Sequence, residues 1–396
     1  MARLDYAAFD ADNHYYEAED AFTRHIDPRF ARRAMQWAVV GGRKRLLVGG
    51  RVNRFIPNPT FDPVAKPGCM DEYFRGRNPE GKSVAELFGE LEPIRPEYRD
   101  REARLARMDA QGLEGCFLFP TLGVGMEEAL RHDPPALVAA FAAFNRWLDD
   151  DWGYAWRERI FAAPYLTLVD VDAAVAELER VLARGARVVC LRAAPVAAPA
   201  RSRSLGDPAH DPFWARASEA GITVAFHSGD AGYARYAADW GESDEMEAFR
   251  YAPLRLCLSA NPIMDAMAAL VCHGVFARHP NLRVATIESG SEWVPILLKK
   301  LAKTYGQMPP AFAEDPVETF RRHVWVSPYY EDDLLALRDA LGADRILFGS
   351  DYPHAEGLAV PTDFVRDLEG FSREEVRLAM RENGLALSKP RLRTAA

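Results

Sequence analysis

Apolar and polar residues follow one another in blocks along the chain, and the blocks predict strands and helices in turn. Eight short apolar runs are typical of buried strands, and most are separated by longer amphipathic runs with helical spacing. The strands are predicted at 6–10, 115–119, 161–168, 188–192, 223–227, 282–288, 324–327 and 346–350. The helices are predicted at 134–152, 171–184, 212–220, 262–276, 292–303, 332–341 and 373–381.

This alternation of strands and helices predicts an α/β protein with a parallel sheet. For a chain of 396 residues the best match is a (β/α)8 TIM barrel, with one domain over 1–390 and a tail at 391–396. A doubly wound open sheet is the alternative, but no GxGxxG motif follows any of the strands. A dinucleotide site therefore lacks its fingerprint, and we expect no organic cofactor.

One long stretch, about 18–105, interrupts the alternation between the first and second strands, and it is too long for a simple βα connection. We interpret it as an insertion over the C-terminal mouth of the barrel, where substrate-binding loops lie. A dimer contact or an insertion without function is the equally weighted alternative. A hairpin is predicted at 41–52, and a second insertion at 231–259. The first insertion carries the basic residues Arg32, Arg33, Arg43, Lys44 and Arg45.

Composition narrows the classes of partner. With 48% hydrophobic residues the chain can form a large core, and a net charge of -9 argues against nucleic acid and anionic membranes. The sequence predicts no apolar run long enough to cross a bilayer and no signal peptide. The five cysteines include no CxxC pair, so we expect a reducing cytoplasm.

The candidate chemistry lies in polar residues at the ends of predicted strands. Asp12 and His14 occupy alternate positions and would face the same way on a strand. His227 ends the fifth strand and Asp351 follows the eighth. Because all strand C-termini of a barrel meet at one face, these four residues are expected to converge. Two imidazoles and two carboxylates suit one divalent ion, Zn²⁺, Mn²⁺ or Fe²⁺, with a position left for water.

From Phe9 to about Leu387 the chain resembles the amidohydrolase-related family that includes aminocarboxymuconate semialdehyde decarboxylase and the resorcylate and dihydroxybenzoate decarboxylases. Asp12-Asn13-His14 stands where that family has HxH or ExH, and His227 and Asp351 match its ligands at the fifth and eighth strands. The resemblance implies a catalytic role for His273, within Val271-Cys272-His273-Gly274. Glu288-Ser289-Gly290 resembles the end of the family's sixth strand.

Three residues keep two interpretations each. Asp12 is expected to bind the metal directly, which would favour Mn²⁺ or Fe²⁺, but it would also suit a hydrogen bond to a ligand from behind. Glu288 is expected to contact a ligand imidazole or water in the second shell, or else to stabilise the turn that follows. His354 is expected to orient Asp351, or to make only a structural hydrogen bond.

The resemblance implies two reactions on one scaffold. Decarboxylation of an aromatic or enoic acid is expected first, because the basic insertion would recognise a carboxylate; Asp351 or His273 would then protonate carbon. The alternative is hydrolysis of an amide, a lactone or a ring-cleavage product, with Asp351 as base and His273 stabilising the oxyanion. A non-catalytic metal-containing binding protein is the third interpretation. We also expect a homodimer that binds a small carboxylic acid.

Overall fold

The structure is a computed structural model, and it describes residues 4–329 and 332–391. The predicted tail therefore lies outside the described residues, apart from its first residue. The strands are β1 (Ala8–Tyr15), β2 (Met35–Val40), β3 (Arg43–Val48), β4 (Arg51–Val52), β5 (Leu113–Pro120), β6 (Ile160–Ala162), β7 (Val188–Arg192), β8 (Thr223–His227), β9 (Arg283–Ile287) and β10 (Val324–Val326).

Seven of these strands pair in parallel and form two sheets, in the orders β1-β5-β6 and β10-β9-β8-β7. Single parallel bridges extend the same order: Tyr165 pairs with Cys190, Val326 with Ile346, and Asn13 with Tyr352. Consecutive strands thus lie side by side, as in a βα-repeat protein. This parallel α/β arrangement fits the predicted TIM barrel.

Helices alternate with the parallel strands, and aspartates begin several of them. The side chains of Asp133, Asp170 and Asp333 each accept a hydrogen bond from a backbone N–H in the first helical turn. The α-helices are α1 (Asp71–Phe74), α2 (Val84–Phe88), α3 (Arg101–Gln111), α4 (Met126–Ala129), α5 (Pro134–Asp151), α6 (Val171–Ala183), α7 (Asp211–Ala220), α8 (Ala234–Ala238), α9 (Pro253–Leu258), α10 (Asn261–Cys272), α11 (Val275–Arg278), α12 (Trp293–Gln307), α13 (Pro316–His323), α14 (Leu334–Leu341), α15 (Arg373–Arg377) and α16 (Asn383–Leu387).

The eighth predicted strand, 346–350, is extended but is not a regular strand. Its backbone bonds to both neighbours, since Leu347 N donates to Val326 O and Phe348 O accepts from Ala11 N. The amide of Phe348 instead donates to the carbonyl of Ala379, in the helical segment between α15 and α16. This bond to a helix interrupts the ladder, while the segment still carries Asp351 to the end of β1.

The stretch between β1 and β5 contains a small antiparallel sheet in the order β2-β3-β4, followed by α1, α2 and α3. The predicted hairpin is present as β2 and β3. Two basic residues of this stretch form ion pairs on the protein surface: Arg33 pairs with Asp133, and Lys44 pairs with Glu19. None of them lines the cavity described below.

The sequence-based expectation that no apolar run is long enough to cross a bilayer is wrong. One run meets the criteria of length and composition. Pro253–Cys272 has 20 residues and a mean hydropathy of 1.3, with 28% of it buried. The structure divides the run into α9 and α10, and α10 packs Ile263, Met267 and Leu270 against the core. Core helices of proteins without a membrane segment pass the same test, so the run alone assigns no location.

Candidate metal centre

Four side chains from the ends of three parallel strands converge on one point. Asp12 and His14 lie on β1, His227 is the last residue of β8, and Glu288 directly follows β9. His14 Nε2 lies 3.1 Å from His227 Nε2, 3.2 Å from Asp12 Oδ1 and 3.3 Å from Glu288 Oε2. His227 Nε2 lies 3.4 Å from Asp12 Oδ1 and 3.2 Å from Glu288 Oε2.

These separations fit a divalent ion held by all four atoms. Nitrogen and oxygen ligands about 2.0–2.1 Å from a tetrahedral ion are about 3.3 Å from one another. Within the described residues, the buried Asp12 Oδ1 has no hydrogen-bond partner, as expected of an atom that faces a cation. His227 Nδ1 lies 2.7 Å from the carbonyl of Ser228, which can only accept, so Nδ1 carries the proton and Nε2 offers its lone pair.

The electrostatics of the centre also call for a positive charge. Burial lowers the pKa of His227, but the carboxylates of Glu288 and Asp12 outweigh burial and raise it to about 10. Burial raises the pKa of Glu288, yet the two imidazoles bring it below its ordinary value. Without a metal, His227 thus stays protonated and supplies the positive charge of the cluster. A divalent ion would supply that positive charge instead.

Asp351, predicted as the fourth ligand, lies beside these four side chains in a hydrogen-bonded pair with His354, and the pair forms a second group of potential ligands with His14 and Glu288. Asp351 Oδ1 lies 3.3 Å from His14 Nε2 and 2.6 Å from His354 Nδ1. Burial and then the charges of Glu288 and Glu356 raise the pKa of Asp351 well above its ordinary value. Burial and then His14 lower the pKa of His354 well below its own. One proton is therefore shared between the Asp351 carboxyl and a neutral imidazole.

The far side of His354 fixes the direction of this hydrogen-bond chain. Thr121 Oγ1 donates to the carbonyl of Tyr15 at 2.8 Å, so it must accept from His354 Nε2, which is also 2.8 Å away. With its proton on Nε2, His354 presents a lone pair on Nδ1 to Asp351. This hydrogen bond is consistent with the prediction that His354 orients Asp351.

Backbone strain accompanies two of the acidic residues. Glu288 and Asp351 adopt left-handed conformations, with φ of 49° and 54°, which residues other than glycine rarely occupy. Hydrogen bonds hold both: Tyr329 Oη donates to the carbonyl of Glu288, and Asp351 N donates to the carbonyl of Asp12 at 2.8 Å. Strained residues are concentrated at functional sites, where the surrounding structure enforces them.

Two buried charged residues hold β1 in place behind the centre. Asp10 accepts from the backbone N–H and hydroxyl of Ser350, which ties β1 to the segment that carries Asp351. Arg104 is fully buried and donates to Asn13 Oδ1, to His14 O at 2.7 Å and to Glu97 O at 2.7 Å. Asp10 therefore positions the site without lining it.

Replacing Arg104 by methionine is expected to lower the free energy of unfolding by about 3 kcal/mol, because two buried oxygen atoms and one part-buried oxygen atom would lose their donor. Urea denaturation followed by circular dichroism measures the change. The control is Arg373→Met, which removes an arginine whose side chain is 87% exposed. A loss below about 1 kcal/mol in the Arg104 variant would show that these bonds are not needed to hold β1.

The structure does not bring His273 to the centre, so its implied catalytic role is not supported. His273 is exposed at the end of α10, and its Nδ1 lies 2.7 Å from Ser204 Oγ. The physical reason is topological. The chain runs from α10 to the start of β9, whereas the cluster lies at the ends of the strands.

Replacing His273 by alanine is expected to leave kcat and metal content within about twofold of the wild-type values, since surface substitutions away from a site have small effects. Steady-state assays and metal analysis of the purified variant measure both. A tenfold or larger loss of kcat with full metal content would return His273 to the mechanism.

Sequence reasoning underestimated Glu288 and missed Glu356. Glu288, expected in the second shell, contacts both ring nitrogens that face the centre and belongs to the group of four potential ligands. Glu356 lines the adjoining cavity, and burial followed by the charge of Glu288 raises its pKa to about 7. Its only sequence signal is its position two residues after His354, in the loop that follows the eighth strand.

Comparison with known proteins places the chain in a family. The family model described as amidohydrolase matches residues 88–387. This chain belongs to the amidohydrolase family. An amidohydrolase from Mycobacterium avium subsp. paratuberculosis K-10 is 49% identical, with a TM-score of 0.93 and 98% of this chain and 99% of that chain covered.

More distant members of the amidohydrolase superfamily share the fold. A 2,6-dihydroxybenzoate decarboxylase from Rhizobium is 20% identical, with a TM-score of 0.57 and 83% and 96% of the two chains covered. A dihydroxybenzoic acid decarboxylase from Polaromonas sp. JS666, with bound manganese and 2-nitroresorcinol, is 16% identical, with a TM-score of 0.60 and 97% of each chain covered. The family and the cluster together support a metal-binding enzyme.

Proposed function

We propose that this amidohydrolase is a metal-dependent hydrolase that acts on an uncharged carbonyl compound, such as an ester, a lactone or an amide. The observation that carries the proposal is the charge of the site: carboxylates surround the centre, and Arg192, which lies beside His227, is paired with Glu128. Asp12, His14, His227 and Glu288 would hold one divalent ion. When bound, such an ion polarises a carbonyl oxygen and makes water more acidic.

The charged side chains at the inner end of the cavity support this proposal. Ionised Asp12 and Glu288 balance a divalent ion, and Asp351 and Glu356 add further acidic groups to the same end of the cavity. The arginines of the described cavity lining are Arg250, which pairs with Glu247, and Arg255, which donates to the carbonyls of Ser243 and Glu245. A carboxylate on the substrate would therefore enter a site in which Asp12 and Glu288 already balance the ion and the arginines of the described cavity lining are engaged by other groups. The sequence-based preference for decarboxylation depended on basic residues that lie elsewhere.

Asp351 is the group that would move protons in this reaction. It contacts His14, and therefore lies at the edge of the centre, and His354 fixes the orientation of its carboxyl. When the shared proton lies on His354, the Asp351 carboxylate would take a proton from water, and it would later deliver a proton to the leaving group. His354 and Thr121 hold the carboxyl in that orientation throughout.

Mn²⁺ is the metal we propose for the centre. Two carboxylates beside two imidazoles make a harder ligand set than histidines alone, and hard ligands suit Mn²⁺. The Polaromonas structure, which shares the fold, contains bound manganese.

The location in the cytoplasm and the homodimeric state of the protein stay predictions.

Decarboxylation is the second candidate, and a specific observation favours it. The Asp351–His354 pair holds a buried proton beside the centre, and decarboxylation needs a proton donor for the carbon that loses CO₂. The Rhizobium and Polaromonas structures are decarboxylases of aromatic acids. In this reaction the substrate carboxylate would enter a cavity whose described arginines, Arg250 and Arg255, are already engaged by other groups.

One paired assay separates the candidates. The protein is stripped with a chelator and reloaded with Mn²⁺, and proton release from phenyl acetate and a lactone is measured beside CO₂ release from 2,6-dihydroxybenzoate and 5-carboxyvanillate. We expect metal-dependent hydrolysis and no CO₂. Release of CO₂ without hydrolysis would establish the second candidate. Metal binding without either reaction would favour the non-catalytic interpretation.

A further inference from the structure

A single cavity of about 570 Å³ extends from the metal centre to the outside of the molecule. Its inner end is the metal centre and is lined by Asp12, His14, Glu288 and Asp351. The rest of its lining comes largely from two chain segments, 55–91 and 231–262, and is mostly apolar. Six aromatic side chains dominate this outer part, which we call the apolar chamber: Phe55, Phe61, Phe74, Phe88, Phe249 and Tyr251.

The two segments build the apolar chamber together. The rings of Phe88 and Phe249 meet edge to face at 4.9 Å, and those of Phe74 and Tyr251 at 5.8 Å. The backbone joins them as well, since Ala248 N donates to Phe55 O at 2.7 Å. These contacts between separate segments give the chamber a defined wall of aromatic rings.

Aromatic contacts also connect the apolar chamber to the metal centre. The ring of Tyr16 lies 4.8 Å from that of Phe61 and 5.6 Å from that of His354. His354 is the residue that holds Asp351. A molecule that places a reacting carbonyl at the centre would therefore extend directly between these aromatic walls.

Several polar side chains of the wall are already bonded within the protein. Tyr233 donates its hydroxyl to Asp265, and Asn58 donates its amide to the carbonyl of Pro63. Arg250 and Arg255 are engaged as described above. A ligand in the apolar chamber would thus gain by removing apolar surface from water, while a polar ligand would lose hydrogen bonds to water and gain few in return.

We infer that the substrate carries a large uncharged apolar group, such as a long acyl chain or a fused ring system, and that the apolar chamber binds it. The inference rests on the proposed function. Because the chamber and the metal centre belong to one cavity, a substrate that reacts at the centre would also occupy the chamber. A volume of about 570 Å³ lies in the range that holds drug-sized ligands, about 300–1,000 Å³. A single substituted benzene ring would leave most of the chamber unfilled.

Binding of the uncharged fluorescent probe N-phenyl-1-naphthylamine tests the apolar chamber without any reaction. We expect saturable binding to the metal-loaded protein, weakened at least tenfold by Phe88→Asp and by Phe249→Asp. Phe312→Asp is the matched control, because Phe312 is half-buried and contacts Tyr305 outside the cavity. Equal binding by all four proteins, or no binding by the wild type, would overturn the inference. Circular dichroism establishes that each variant is folded.

A series of 4-nitrophenyl esters separates this inference from the proposed function. Each buried methylene is expected to raise kcat/KM about fourfold until the chamber is filled, so the decanoate should exceed the acetate at least a hundredfold. Equal turnover of acetate and decanoate would support hydrolysis and overturn the apolar chamber. Probe binding that the two aspartate variants abolish, without turnover of any ester, would support the chamber and contradict hydrolysis.

Discussion

Replacing His14 and His227 together by alanine is expected to reduce bound metal from about one ion per chain to less than a tenth of that. Each histidine contributes a ring nitrogen to the centre, and these nitrogens lie 3.1 Å apart. Their loss leaves Asp12 and Glu288 as ligands, and two carboxylates alone hold a transition metal weakly. Activity should disappear with the metal.

The measurement is elemental analysis of protein purified in the presence of Mn²⁺ and then dialysed. His323→Ala is the matched control, because His323 is also buried but bonds through Nδ1 to the carbonyl of Leu282, in the core away from the cluster. We expect the control to keep its metal as long as it is folded. Full metal content in the double variant would show that the centre lies elsewhere.

Replacing Asp351 by asparagine is expected to lower kcat about a thousandfold, in line with the contribution of a positioned acid–base group. The amide has the same shape as the carboxyl but cannot exchange a proton with water or substrate. Asp12, His14, His227 and Glu288 remain to hold the ion, so metal content should stay near the wild-type value.

Asp333→Asn is the matched control for this variant, because asparagine also caps a helix and Asp333 begins α14 outside the cavity. Its kcat should match the wild type. A kcat within tenfold of the wild type for Asp351→Asn would remove Asp351 from the mechanism. Loss of metal in that variant would show instead that Asp351 acts chiefly as a ligand.

The positions of Asp12, His14 and His227 could be predicted because they depend on simple geometry. Alternate residues of a strand face the same way, and the ends of neighbouring parallel strands lie together. The structure shows the consequence, since these three residues converge although His227 is more than 200 positions from the others. Strand periodicity and strand order are properties that a sequence pattern records.

The role of Glu288 could not be predicted because it depends on one backbone angle. Its left-handed conformation, with φ of 49°, turns the side chain towards the two imidazoles. Sequence patterns indicate such conformations for glycine and asparagine, but not for glutamate. The backbone of Asp351 is also left-handed, so its place after the eighth strand could be predicted but the direction of its side chain could not.

Local charge and a local motif led to two wrong expectations about which residues lie at the site. The basic residues after β1 indicate a charged surface, but their pattern does not say which surface; Arg33 and Lys44 pair with acids away from the cavity. His273 lies in a stretch that resembles a family motif, yet the end of α10 leaves it exposed. Both errors concern long-range placement, which depends on packing that short sequence patterns do not record.

Anomalous diffraction from crystals grown with Mn²⁺ tests the central claim most directly, because it locates the ion independently of any reaction. The account predicts one strong anomalous peak per chain, in contact with Asp12 Oδ1, His14 Nε2, His227 Nε2 and Glu288 Oε2. A peak bound to other side chains, or no peak at these four atoms at saturating Mn²⁺, would contradict it.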